Sequence, residues 1–146
     1  MDVTVMDPVF GEMTYRHRWF KNEHITLWGK EFPVVIVAKA FSGKPISDEQ
    51  RESYAWFKKN LSQVDNTITE LASNYINENC QEFATYWSGA RMIQSADDLK
   101  SILTPKTILF TKNGAILILL DCPWDEHGIA IQLKPTVEIG SQDMFL

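Results

Sequence analysis

TILFTKNGAILILLDCPWDEHGIAIQLKPTV, residues 107–137, decides how the rest of the chain is read. Residues 107–111 read as a strand. Asn113-Gly114 reads as a two-residue type I′ turn, because both central positions of that turn need a positive φ. The return strand, residues 115–122, is apolar on both faces and therefore belongs inside a sheet. A compact corner follows at 122–128, Cys-Pro-Trp-Asp-Glu-His-Gly. Ile129, Ile131 and Leu133 then alternate with Ala130, Gln132 and Lys134, the period of a half-buried strand. Lys134-Pro135 turns the chain into a last strand at 136–139, which Gly140 ends. The tail SQDMFL keeps two apolar residues that can fold back on the domain.

The first half carries a second meander of three or four strands. Residues 3–6 suit an edge strand, broken at Asp7-Pro8 because proline lacks the ladder donor. In residues 10–20, Met13, Tyr15 and His17 share one face while Thr14, Arg16 and Arg18 share the other. Lys21-Asn22-Glu23 reads as a turn, 24–28 as a strand, and Gly29-Lys30-Glu31 as another turn. Residues 32–41, FPVVIVAKAF, are apolar on both faces and so central.

At Ser47 the period changes. Ser47-Asp48-Glu49-Gln50 matches a capping box, with two carboxylates where a helix dipole favours them. Tyr54, Phe57 and Leu61, flanked by Trp56, give a helix to about Asn60. A second helix is expected from Val64 or Asp65 to Gly89. Its stripe is Ile68, Leu71, Tyr75, Ile76, Cys80, Phe83 and Trp87, and it should pack antiparallel to the first. Ser95 and Asp98 cap a short helix carrying Leu99, Ile102 and Leu103. The whole chain, 1–146, therefore reads as one α+β domain: an antiparallel sheet from two meanders, with a helix pair and a short helix on one face.

Bulk chemistry narrows the function. The formal net charge is −5, and nucleic-acid affinity comes mainly from neutralising phosphates. The densest basic cluster is Arg16, His17, Arg18 and Lys21, so no nucleic-acid partner is expected. The longest apolar run, 115–120, is far short of the ~20 residues that span a bilayer, and the N-terminus has no secretory-signal pattern. A cytoplasmic protein is expected, with Cys80 and Cys122 as two small buried hydrophobes. No phosphate-loop, dinucleotide, nucleophile-elbow or H-E-x-x-H motif is present, so no cofactor or metal is expected. Glu70, Glu78 and Glu82 on the second helix read as a solvated face, or as an anionic stripe for a basic partner.

Chemistry, if any, concentrates in the corner. His127 with Glu126 or Asp125 has the makings of an acid/base pair, and with Asp121 those of a metal site. Neighbours in an extended chain point apart, however, and His17 and His24 are more than a hundred residues away. The structural alternative is that Asp125 bonds backbone amides, Gly128 supplies a permissive φ, and Trp124 covers the sheet end.

Asp7-Pro8-Val9-Phe10-Gly11-Glu12-Met13, followed by a strand ending in Trp, resembles the start of a family of small uncharacterised bacterial domains. Asp121 to Gly128, Val137-Glu138-Ile139-Gly140 and Gln142-Asp143 resemble that family's C-terminal signature. The resemblance implies a fold and no catalytic residues. Its members are similar in size and acidity to immunity proteins that neutralise bacterial toxins. Lys134-Pro135 departs from the Asp-Gly or Asn-Gly pair expected at that turn. The leading expectation is a non-enzymatic protein-binding module of immunity type, using Trp124, Asp125 and Glu126 against a basic partner. The alternatives are a hydrolase or metal-dependent enzyme centred on residues 124–128 (His127, Glu126, Asp125), and a structural accessory domain associating through the 32–41 strand or a sheet edge.

Overall fold

The computed structural model describes residues 3–41 and 43–146. Among them one eight-stranded sheet runs in sequence order: β1 (Val3–Asp7), β2 (Gly11–Tyr15), β3 (Trp19–Leu27), β4 (Lys30–Ala38), β5 (Thr104–Phe110), β6 (Ile116–Cys122), β7 (Asp125–Lys134) and β8 (Glu138–Ser141). Helices α1 (Asp48–Lys59), α2 (Leu61–Glu78), α3 (Cys80–Phe83) and α4 (Ala96–Ile102) form the crossover between β4 and β5. The two meanders therefore merge into one α+β sheet through its one parallel pair, Val35–Ala38 beside Thr107–Phe110. The expected fold class holds.

Strand boundaries in the first half differ from the sequence reading. Lys21-Asn22-Glu23 lies inside β3, and the break falls at Arg16–Arg18, where His17 has a φ of 66°. Alternate β3 residues Trp19, Lys21, Glu23 and Ile25 face the helices. The polar pair there is satisfied: Tyr54 Oη donates to Glu23 Oε2 at 2.9 Å, and Lys21 and Lys58 both pair with Glu23. A polar triplet thus mimics a turn while belonging to a strand clamped to α1. The next turn is Trp28-Gly29, with φ of 55° and 73°, a two-residue hairpin closed by Leu27 opposite Lys30. Such a conformation rarely suits a large L-residue, which is why Trp28 reads as strand.

The Asn113-Gly114 hairpin forms, with a longer loop. Only Gly114 has a positive φ (91°), so Lys112-Asn113-Gly114 make a three-residue loop in place of the I′ pair. Thr111 holds it closed: its backbone N–H donates to Ala115 O at 3.0 Å, and its Oγ1 accepts from Ala115 N. Downstream, the last strand is displaced to Glu138–Ser141 with Gly140 inside it, and Lys134-Pro135 is cis.

α1 follows its capping box, with Ser47 Oγ accepting from Gln50 N and Gln50 Oε1 accepting from Ser47 N. The long second helix divides at Asn79, whose side chain donates to Tyr75 O at 2.9 Å and competes with the continuing ladder. The first two helices share Asn60 as a one-residue joint, shorter than the loop an antiparallel hairpin uses.

All the helices bury their apolar stripes against one face of the sheet. Phe110 is a hub there, with ring centroids 5.6–6.1 Å from Tyr54, Phe10 and Phe57. Each edge-on ring pair contributes ~0.5–1.5 kcal/mol beyond its burial. On the opposite face Val37, Leu109 and Leu117 form a second, smaller cluster. Phe20, Val35 and Leu119 extend it, and among the described residues only Phe145 reaches it from outside the sheet. No described helix is long and apolar enough to cross a membrane.

Candidate functional site

The corner joins the end of β6 to the start of β7, so it lies about 20 Å along the strands from the β5–β6 loop. Asp125 Oδ1 accepts from His127 N at 2.9 Å, the Asx-type closure expected from the sequence. Gly128 has a φ of 79°, and a Cβ there would lie 2.4 Å from Leu120 O and 2.8 Å from Gln142 Nε2. The glycine is required both by its φ and by the close approach of two strands and the tail.

Trp124 is turned inward and only 8% exposed. Its ring stacks on Phe83 at 4.2 Å and 6°, and Trp87 lies 5.7 Å away. The structure thus places Trp124 in the core, where it closes the sheet end against α3, and leaves Asp125 and Glu126 as the outward members of the expected contact set. Cys122 lies beneath. Burial pushes its thiol up to about 11, against the opposing backbone hydrogen bonds from Asp125 and Trp124. It is a free thiol held protonated, as Cys80 is also free. Burial likewise raises the Tyr75 phenol nearby, helped by Cys122 and Glu82.

His127 projects to the outside, its side chain 60% exposed. A group that spacing does not connect to it converges there: Asp143, from the 3-10 turn Gln142–Met144, places Oδ2 3.4 Å from His127 Nδ1. Glu126 Oε1 lies 3.6 Å from Nε2. The hydrogen bond to Asp143, then the charges of Asp143 and Glu126, raise the imidazole above its ordinary value. The Gln142-Asp143 pair therefore belongs to the corner physically: Gln142 packs on Gly128 and Asp143 on His127. Asp121 faces Lys106 at 4.0 Å and lies outside this cluster.

The corner's polar side chains stand in solvent: His127 is 60%, Glu126 90% and Asp143 74% exposed. The two cavities described lie elsewhere, around the β5–β6 loop. Among the described residues, no group of three or more His, Cys, Asp or Glu is placed to hold a metal. His17 sits at the β2–β3 turn and His24 on the open side of β3, both away from His127. Glu78 and Glu82 are exposed but sit on two helices separated by the Asn79 bend. β4 is paired on both sides, so the 32–41 strand offers no edge for association; β1 and β8 are the edges.

The family model described as Domain of unknown function (DUF6985) matches residues 9–146. The chain belongs to that family. The match takes in the Trp124–Gly128 corner and the Gln142-Asp143 pair, which in this DUF6985 domain weld tail, hairpin and α3 together. No curated protein and no solved structure matches the chain.

Proposed function

We propose that this DUF6985 domain is a non-enzymatic protein-binding module of the immunity or inhibitor kind, working in a bacterial cytoplasm. The observation that carries the reading is the sheet face opposite the helices. A solvated antiparallel face is ordinarily polar. Here Phe20, Val35 and Leu119 stand partly exposed around buried Val37, Leu109 and Leu117. Half-exposed apolar side chains grouped on one sheet face suit an interaction site. Glu126 and Asp143, 90% and 74% exposed, stand at the corner end. The occupant is a protein that lays an apolar patch on this face and a basic side chain against those carboxylates. Two free, half-buried thiols suit a reducing compartment.

The test is quantitative affinity capture from cells of the source, with wild type, Glu126→Lys and Leu119→Lys as baits. A protein retained by wild type and lost from both variants supports the reading. Capture of nothing, together with turnover in a substrate screen, rejects it.

The His127–Asp143 pair favours a second reading, a hydrolase using His127 as base. Against it, the imidazole stands on open surface, its side chain 60% exposed, and lines neither cavity around the β5–β6 loop, so no cleft there orients a substrate. Retention of any detected turnover by His127→Ala eliminates that alternative.

A further inference from the structure

We propose that the cavity at the β2–β3 and β5–β6 turns binds a small aromatic phosphate monoester. It encloses about 440 Å³, within the range of small-molecule sites, and its wall is largely apolar. Arg18, Lys39 and Lys112 line it together with His17, Phe41 and Thr111, and no carboxylate does. The three cations come from three separate turns and form no ion pair or side-chain hydrogen bond among the described residues. Other cations of the chain do find carboxylates, Arg51 with Asp7 and Asp48, Lys58 with Glu23 and Lys100 with Asp97. In a protein of net charge −5, three unpaired cations around one apolar hollow complement an anion.

The place in the fold supports this independently. The cavity lies beyond Ala38 and Phe110, the carboxyl ends of the parallel strands β4 and β5. In open parallel α/β sheets ligands sit outside the carboxyl ends of the strands, and the one parallel pair of this otherwise antiparallel sheet presents the same end to the cavity. Its floor is fixed. Gln50, fully buried, donates through Nε2 to Lys39 O at 2.7 Å and to Phe110 O at 3.0 Å, and Lys39 N donates to Phe110 O. Gly43 and Lys44 are held as well, by Gly43 N donating to Tyr15 Oη at 2.9 Å and Trp19 Nε1 donating to Lys44 O at 2.8 Å. Recognition groups on fixed backbone bind without a large ordering cost.

The ligand class follows from the groups. Three cations exceed what one carboxylate neutralises and suit a phosphate monoester, which carries close to two charges near neutral pH. Arg18 supplies a planar fork that pairs with two phosphate oxygens. Phe41 is 77% exposed at the rim and offers a face on which an aromatic body can stack. Inorganic phosphate would leave the apolar wall unused.

Titration of the whole protein by two-dimensional amide NMR tests the site, with phenyl phosphate, inorganic phosphate and benzyl alcohol as probes. Phenyl phosphate should give saturable shifts confined to residues 17–18, 39–41 and 111–113, with a Kd below about 1 mM. Each of the other probes should bind at least about tenfold more weakly. Arg18→Ala and Lys39→Ala should each weaken phenyl phosphate about tenfold, the loss of one charge-assisted hydrogen bond. Lys106→Ala, at the other end of the sheet, should leave it unchanged. Phe41→Ala should bring phenyl phosphate towards the affinity of inorganic phosphate. Shifts that do not saturate, equal weakening by Lys106→Ala, or equal binding of inorganic and phenyl phosphate would each overturn the proposal.

Discussion

Replacing Gly128 by alanine isolates the force that holds the corner. Gly11 is the control. Both glycines have nearly the same φ, 79° and 83°, but a Cβ on Gly11 meets nothing within 4 Å. An L-residue in the left-handed region costs ~1–2 kcal/mol. Part of that, ~0.4–1 kcal/mol, is recovered because alanine restricts the unfolded chain. Gly11→Ala should therefore destabilise by about 1 kcal/mol. At Gly128 the new methyl lies 2.4 Å from Leu120 O, a backbone atom of a strand whose Leu120 pairs with Ile129. Relief requires opening that rung, and a ladder group left unsatisfied costs ~1–3 kcal/mol. The expected total is about 2–4 kcal/mol, a large share of the ~5–15 kcal/mol that keeps a domain folded. Gln142 Nε2, at 2.8 Å, can swing aside, so adding Gln142→Ala should recover little. Urea unfolding followed by tryptophan fluorescence reads all three variants. Equal losses for Gly11→Ala and Gly128→Ala, or recovery of most of the loss by Gln142→Ala, would refute the close-approach argument.

Trp124→Ala should cost ~3–5 kcal/mol, as removal of a buried ring does; a loss under about 1 kcal/mol in the same assay would return Trp124 to the surface. Asp7 accepts from Val9 N and Phe10 N and pairs with Arg51. Burial alone would raise its carboxyl, but those bonds outweigh burial and hold it below the ordinary value. Its contribution is therefore present above the unfolded pKa of ~3.9 and lost as pH falls through the lower folded value. Asp7→Ala should cost ~2–3 kcal/mol at neutral pH, from an arginine left with only the exposed Asp48 and a buried amide left without an acceptor. The gap to wild type should shrink in strong acid, and a gap independent of pH would contradict the assignment. His127 is raised, so its favourable contact exists below the ordinary value and disappears as pH rises through the folded one. NMR titration should place its midpoint above 6.5, and Asp143→Asn should bring it down.

How far the sequence reveals this architecture depends on how local each signal is. The alternation in 129–133, the double-sided apolar runs in β4 and β6, and the Ser47–Gln50 box are set by neighbours in the chain, and all appear where read. The β3 boundaries are hidden because Lys21 and Glu23 acquire partners from α1, more than thirty residues away. Trp28 hides a turn because tertiary burial overrides its dislike of positive φ. The corner's glycine and Asx closure are legible from its composition. Asp143 as the partner of His127 is not, since only the tail's return brings it close. The same holds for the cavity: Arg18 stands out in a short basic cluster, but nothing local joins it to Lys39 and Lys112.

The central claim is that the sheet face opposite the helices, with Glu126 and Asp143 at its corner end, receives a protein partner, while Trp124 and Gly128 serve the fold. In-cell photo-cross-linking tests it most directly, with a photoreactive amino acid at Leu119 on that face and at Tyr86, exposed on the helical side. A discrete protein adduct from Leu119 and none from Tyr86 is the predicted result. Adducts from Tyr86 alone, or none from either position while the protein turns over a substrate through His127, would contradict the account.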